Sequence, residues 1–456
     1  MVEAGDPGVE LDEDGLPKRT GTWLSASAHI ITVVIGSGVL SLGWAIAQLG
    51  WIAGPAALLV FAFIIWFTSM LLVECNKSPD PITGKRNYCY MDVIKANLGG
   101  VKVKVCGIAQ YVVLVAATIG YTVTAGISMV TVGNTSCLHR YGHDAGCHRS
   151  NTPYMIIFGC IELILSQIPN FHQLSFLSTL AAIMSFAYSF IAVALSITKV
   201  AEGGNHVETS LGGVRVGIDV TLEEKVWQLL VALGNIAFAY GFSIVLDTIK
   251  SGPSKIKEMK KATSVAISVT TIFYVLCGVT GYAAFGNKIS GNLLTGFELD
   301  RLFWLANVAN VCVVVHLIGA YQILAQPVFQ FVEKKCAEKW PESGFIKATY
   351  QIPIPMSGNY DVNLFRVVWR SIYVIIASLV AIILPFFNDL LGLIGAAVFW
   401  PLTVFLPVEM YIKHKKIPRF SFTCFCYEAL SLFCLIITLV AAAASVRGLI
   451  VSVKGS

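Results

Sequence analysis

Apolar runs long enough to cross a bilayer recur along almost the whole chain, with short polar stretches between them. Eleven stand out, at residues 22–50, 52–75, 103–133, 153–168, 172–199, 226–250, 262–285, 299–332, 364–385, 389–413 and 421–451. A helical crossing takes roughly 20 predominantly apolar residues, so these runs predict membrane-spanning helices. The first is interrupted near its middle by Ile35-Gly36-Ser37-Gly38-Val39-Leu40-Ser41. Glycine inside a helix costs roughly 1 kcal/mol against alanine. In hydrocarbon, every backbone group that the break frees also needs a new partner. The sixth run repeats the oddity as Leu233-Gly234-Asn235-Ile236-Ala237-Phe238-Ala239-Tyr240-Gly241-Phe242-Ser243. Breaks in spans one and six, five spans apart, predict two five-helix halves of opposite orientation, because an odd repeat length inverts the second half. Discontinuous helices at matching positions point to a midplane binding site in a transporter. The bland alternative is that these glycines only let helices pack closely.

Composition agrees with the pattern. Of 456 residues, 56% are hydrophobic and 13% charged, against about 25% charged in soluble domains. No soluble domain of useful size fits between the apolar runs. Residues 1–21 are polar and acidic, carrying Glu3, Asp6, Glu10, Asp12, Glu13 and Asp14 before Lys18-Arg19. They lack the basic start and short apolar core of a cleaved signal and predict a disordered cytosolic tail. With the amino terminus inside, the loops assigned to the cytosol carry 23 of the 32 Lys and Arg residues. That asymmetry places the amino terminus in the cytosol and the carboxyl terminus outside. Of twelve cysteines, only Cys137 and Cys147 then share an outer loop. A disulfide is expected there, two free thiols being the alternative. Asn134-Thr135-Ser136 in the same loop reads as a glycosylation sequon close to the membrane.

The broken segments suit a zwitterion. Half-helix amino ends attract a carboxylate, and freed carbonyls at a half-helix carboxyl end attract an ammonium group. Ile35, Gly36, Ser37 and Gly38 could approach a carboxylate closely, with the Ser37 and Ser41 hydroxyls in reserve. The backbone opened around Asn235–Tyr240 would receive the amine, and Phe238 and Tyr240 would face the side chain. Taken singly, such aromatics more often face lipid or core. Ionisable groups at membrane depth need a reason. His316, deep in span eight, titrates near neutral pH and fits a proton relay; a neutral imidazole hydrogen-bonded between helices is the alternative. His29 could sense protons or brace span one. Asp247, near the cytosolic mouth beside Lys250, could pair with Lys18 or Arg19, couple protons or cap a solvated end. For Glu162 and Glu409 structural pairing is the default. No metal-ligand motif, paired catalytic aspartates or Walker loop occurs, which argues against ATP-driven transport and intramembrane hydrolysis.

Gly21-Thr22-Trp23, Ser25-Ala26-Ser27-Ala28-His29 and Ile35 through Leu42 closely resemble the start of plant amino acid permeases. The likeness continues through Trp44–Pro55, Ile119-Gly120-Tyr121-Thr122, Ile168-Pro169-Asn170-Phe171, Pro407-Val408-Glu409-Met410-Tyr411 and Ile417–Phe420. The resemblance implies an all-α, leucine-transporter-like fold, a 5+5 inverted repeat with broken helices one and six plus an eleventh helix. Its parts would be the tail 1–21, a first repeat 22–199, an outer loop 200–225, a second repeat 226–413, and the last helix with its extracellular end, 414–456. It implies proton-coupled symport of neutral and some acidic amino acids across the plasma membrane, with no cofactor beyond the proton and no enzymatic activity. It also puts the substrate at the two broken segments and near Tyr121, and strengthens coupling roles for His316, His29 and Asp247. Around Leu246–Pro253 the chain departs slightly from the family pattern at the approach to Asp247. The expected partners are amino acid, protons and lipid, with no nucleic acid, and the working unit is a monomer. An auxin or other specialised carrier, a transport-inactive receptor and a channel are the competing readings.

Overall fold

The polypeptide runs through one helix after another, and the computed structural model describes residues 22–75, 77–78, 85–86, 90–142, 146–168, 175–203, 207–241, 256–297, 301–354 and 358–455. The helices are α1 (Trp23–Val34), α2 (Leu42–Glu74), α3 (Tyr90–Asn97), α4 (Gly100–Tyr141), α5 (Thr152–Leu165), α6 (Ser175–Gly203) and α7 (Leu222–Ala239). They continue as α8 (Ile256–Phe285), α9 (Phe303–Lys339), α10 (Gly344–Lys347), α11 (Leu364–Ile383), α12 (Phe387–Val398), α13 (Leu406–His414) and α14 (Phe422–Gly455). Two small antiparallel hairpins join them, β1–β2 (Lys77–Ser78 and Lys85–Arg86) and β3–β4 (Thr349–Ile354 and Gly358–Asn363), the second pairing Thr349 with Asn363. Among the described residues, strands occur only in these connections, and the bundle itself is all-α.

Among the described residues, eight helical stretches are long and apolar enough to cross a membrane. The three remaining predicted spans are represented by the shorter helices α1, α5 and α7. Spans one and two are divided at Gly50, whose φ of +84° is helix-incompatible. A side chain there would also meet Gly213 N and Leu211 O at 2.3 Å. The segment before α7 packs into that bend: Val214 N–H donates to Ala47 O at 2.9 Å, and Lys225 Nζ donates to Gln48 O at 2.5 Å. Local signals set several helix starts. Thr221 and Glu224 form a reciprocal capping box at α7, and the Asn363 side chain accepts from Arg366 N–H at α11, each satisfying donors that a helix start leaves free.

The innermost packing joins α2 to α8, α4 and α6 to α9, and α7 to α12. α14 covers α7 and α12 from outside, and leaves Phe425, Leu432, Phe433, Ile436 and Leu439 exposed. Such an apolar outer surface is what lipid contact requires. Span ten is continuous but irregular: a π-helical turn, Phe399–Phe405, links α12 to α13. Pro401 lies in it, lacks an N–H and so interrupts the regular ladder. Tyr90 Oη donates to Leu402 O at 2.6 Å and ties the turn to α3.

Candidate functional site

The first break is real and short. α1 ends at Val34, Gly36 is extended (φ −115°, ψ −160°), and a 3-10 turn over Ser37–Ser41 leads into α2. The second lies later than the sequence suggested. α7 stays helical through Ala239, so Gly234 and Asn235 sit inside it and the chain leaves the helix at Tyr240–Gly241. Gly234 serves packing: a Cβ there would meet Gly392 O at 2.5 Å, while one at Gly395 would meet Gly234 O at 2.1 Å. The close-packing alternative therefore holds for Gly234. The two breaks touch each other, since a Cβ at Gly38 would lie 2.9 Å from Ala239 Cα.

Where they meet, a cavity of about 80 Å³ opens. One water needs roughly 10–15 Å³ on this measure, so the space exceeds a mere packing defect. Gly36, Ser37 and Gly38 form one wall and Ala237, Phe238, Ala239 and Gly241 the other. Tyr121 and Val113 from α4, Leu324 from α9, and Ile394 and Val398 from α12 complete it. The Ser37 hydroxyl is buried without a hydrogen-bond partner. Ser37 and Gly38 head the 3-10 turn, where N–H groups have no partner within the turn. On the other wall α7 ends, so the negative end of its helix dipole lies beside the same space; Phe238 O there accepts from Gly241 N–H and Ala239 O from Tyr274 Oη.

Several anticipated contacts fall elsewhere. Ile35 is buried in the core, outside the cavity walls. Ser41 Oγ donates to Gly38 O at 2.9 Å and so stiffens the turn instead of facing the cavity. Asn235 is fully buried with both side-chain polar atoms unpartnered, but it is not in the cavity wall. Tyr240 Oη donates to Thr271 Oγ1 at 3.2 Å and borders a separate, smaller void. His316 Nδ1 lies 2.8 Å from Ala181 O. A carbonyl can only accept, so Nδ1 carries the proton of the neutral ring and Nε2 holds the lone pair. That Nε2 is buried without a partner, 3.9 Å from where a Cβ on Gly36 would stand. His29 is half-buried on α1 with its Nε2 unpartnered. Asp247 lies outside the described residues.

Glu162 and Glu409 are paired. Gln322 Nε2 donates to Glu162 Oε2 at 2.7 Å, and Glu409 forms an ion pair with Lys102. Cys137 and Cys147 are joined by a disulfide. α4 runs on to Tyr141, so Cys137 belongs to its last turns, not to a loop. Asn134 lies in the same helix, buried, with Oδ1 accepting from Arg149 N–H at 3.2 Å. A buried, bonded amide inside a helix is a poor glycan acceptor.

The sequence reading missed Val113, Ala117, Leu324, Ile394 and Val398, which are indistinguishable by type from lipid-facing or core residues. It also missed Tyr274, whose hydroxyl reaches both breaks.

Residues 19–451 match a family model described as transmembrane amino acid transporter protein. Amino acid permease 6 of Arabidopsis thaliana is 59% identical, covering 99% of this chain and 95% of its own length. Amino acid permease 1 of the same plant is 56% identical over 98% of this chain and 93% of its own. Among solved structures, MhsT in complex with L-phenylalanine aligns with a TM-score of 0.52 at 12% identity, covering 93% of this chain and 99% of that one. The inward-facing conformation of Mhp1 aligns with a TM-score of 0.53 at 10% identity, covering 99% and 93%. These likenesses give the fold: leucine-transporter-like.

Proposed function

Because the chain belongs to the transmembrane amino acid transporter family, with permeases as relatives along its whole length, we propose that it imports amino acids by proton symport. It is a transporter and not an enzyme. The observation that carries the finer reading is the cavity between two helix breaks. One wall offers an unpartnered hydroxyl and the amino end of a turn; the other offers a helix carboxyl end. A carboxylate suits the first and an ammonium group the second. Tyr121, Phe238 and the apolar residues from α4, α9 and α12 then surround the side chain. Walls this apolar favour neutral substrates.

For the proton, the Nε2 lone pair of His316 beside Gly36 is the best-placed base. Protonation there puts positive charge next to the wall that receives the carboxylate, so proton and substrate favour each other's binding, which is thermodynamic coupling. His29 and Asp247 remain secondary candidates. The excess of basic residues in alternate loops supports a cytosolic amino terminus, and the Cys137–Cys147 disulfide supports an oxidising, outer location for its end of α4. A plasma-membrane monomer with alternating access around the cavity completes the proposal.

Voltage-clamp recording across a panel of amino acids tests it. Acidifying the outside should enlarge inward, amino-acid-dependent currents in sodium-free medium. Equal currents at about pH 5 and about pH 8, roughly a thousandfold in proton activity, would refute proton coupling. Competition by auxin but not by common amino acids would favour the specialised-carrier reading.

A further inference from the structure

Tyr274 on α8 is fully buried and stands between the two breaks. Its Oη lies 2.7 Å from the carbonyl of Val34, the last residue of α1, and 2.7 Å from the carbonyl of Ala239, the last residue of α7. Both oxygens belong to helix carboxyl ends, outside the intrahelical ladder, and carry partial negative charge; Val34 O also accepts from Gly36 N–H at 2.8 Å, which uses one of its two lone pairs and leaves the other for Tyr274. A phenol has a single proton to donate, so one O–H is shared by two converging acceptors.

Two carbonyls freed by helix breaks and turned toward one point are also what sodium-coupled transporters use to hold their ion. Here that point is taken by a covalently tethered hydroxyl. We infer that the Tyr274 O–H substitutes for a coupling cation, bridging the two breaks so that the site assembles without sodium; this rests on the proton-symport reading and deepens it. A second feature supports a latent ion site. Thr270, one turn earlier on α8, has a buried hydroxyl with no partner and borders a small void beside Val34 and Tyr240. Positions four apart share a helix face, so Thr270 and residue 274 look toward the same region. Removing the phenol ring would leave the two carbonyls and the Thr270 oxygen facing a space large enough for a cation that keeps some of its own waters. Hard cations bind through oxygen ligands of this kind.

Tyr274 is thus a positioning residue that sets ion selectivity by occupying the place of the ion. The test compares the full-length protein with Tyr274→Phe and Tyr274→Ser in a transport-deficient host. Uptake of a labelled neutral amino acid, normalised to surface protein, is read in sodium chloride and in choline chloride at acid and neutral pH. Wild-type uptake should depend on pH and ignore sodium. Tyr274→Phe leaves both carbonyls unbridged and should lose about fivefold or more of its uptake at equal surface level. Tyr274→Ser should regain uptake in sodium but not in choline, by about fivefold. Should the serine variant fail to reach the surface, Tyr274→Asn vacates most of the phenol's space with a polar side chain and carries the same expectation. Wild-type uptake by Tyr274→Phe, or sodium-indifferent uptake by the surface-expressed polar variant, overturns the inference. Wild-type uptake that ignores pH would instead sink the proton-symport reading, so the two failures are distinguishable.

Discussion

Gly38→Ala should separate the two helix breaks more cleanly than any change to a polar residue. The added methyl would stand 2.9 Å from Ala239 Cα and 3.2 Å from both Ala239 Cβ and Phe238 Cδ1. Carbon atoms prefer roughly 3.5–4.0 Å, so one backbone must retreat by about 0.5–1 Å. Neither yields easily. Ala239 O is held by Tyr274 Oη, and α7 is seated against Gly392 through Gly234. Overpacking of this kind costs about 1–3 kcal/mol, equivalent to roughly 5- to 150-fold in a conformational equilibrium. Gly344→Ala on α10 is the internal control, since a methyl there meets nothing within 4 Å. The assay is initial-rate uptake of a labelled neutral amino acid in yeast lacking its own permeases, normalised to surface protein. Gly38→Ala should lose about fivefold or more, while Gly344→Ala stays within about twofold. Wild-type rates in Gly38→Ala would show that the breaks do not pack as described.

Gly50→Ala combines a positive φ with a 2.3 Å clash against Gly213 N and should largely abolish surface-expressed protein, measured by biotinylation; normal expression would mean the bend is not required. Arg370→Ala removes a buried guanidinium that donates to Glu333, Ser166 O and Ile168 O, and should lower the thermal stability of the detergent-solubilised protein at a cost of about 3–5 kcal/mol; an unchanged melting point would count against the network. Cys147→Ser opens a ring of sequence separation 10 and should cost about 2–3 kcal/mol of stability, with the same loss in wild type after reduction. His316→Asn keeps a donor toward Ala181 O but removes the titrating nitrogen, so uptake should lose its stimulation by outside acid; an intact pH profile would return His316 to a structural role.

Much of this architecture is legible in the chain because hydrocarbon punishes polar backbone so heavily. A Gly-Ser-Gly interruption inside an apolar run stands out, and Gly36–Gly38 does form one wall of the cavity. The second break was harder to place, because Gly234 looks the same in sequence whether it opens a helix or lets Gly392 approach. The structure assigns it to the approach. Ser41 and Tyr240 were polar groups near a break, yet each spends its hydroxyl on a neighbour, Gly38 O and Thr271 Oγ1. The apolar walls contributed by Val113, Leu324 and Val398 carry no chemical label at all. Only the placing of α4, α9 and α12 around the cavity between the two breaks selects them. Tyr274 was one tyrosine among sixteen, and nothing in its sequence surroundings shows that two distant carbonyls converge on it.

The most direct measurement is a structure of the protein with a bound neutral amino acid. The account predicts ligand density in the cavity between Gly36–Gly38 and Ala237–Gly241, its carboxylate toward Ser37 and its side chain toward Tyr121 and Phe238. Density at any other place, with this cavity closed, would contradict it.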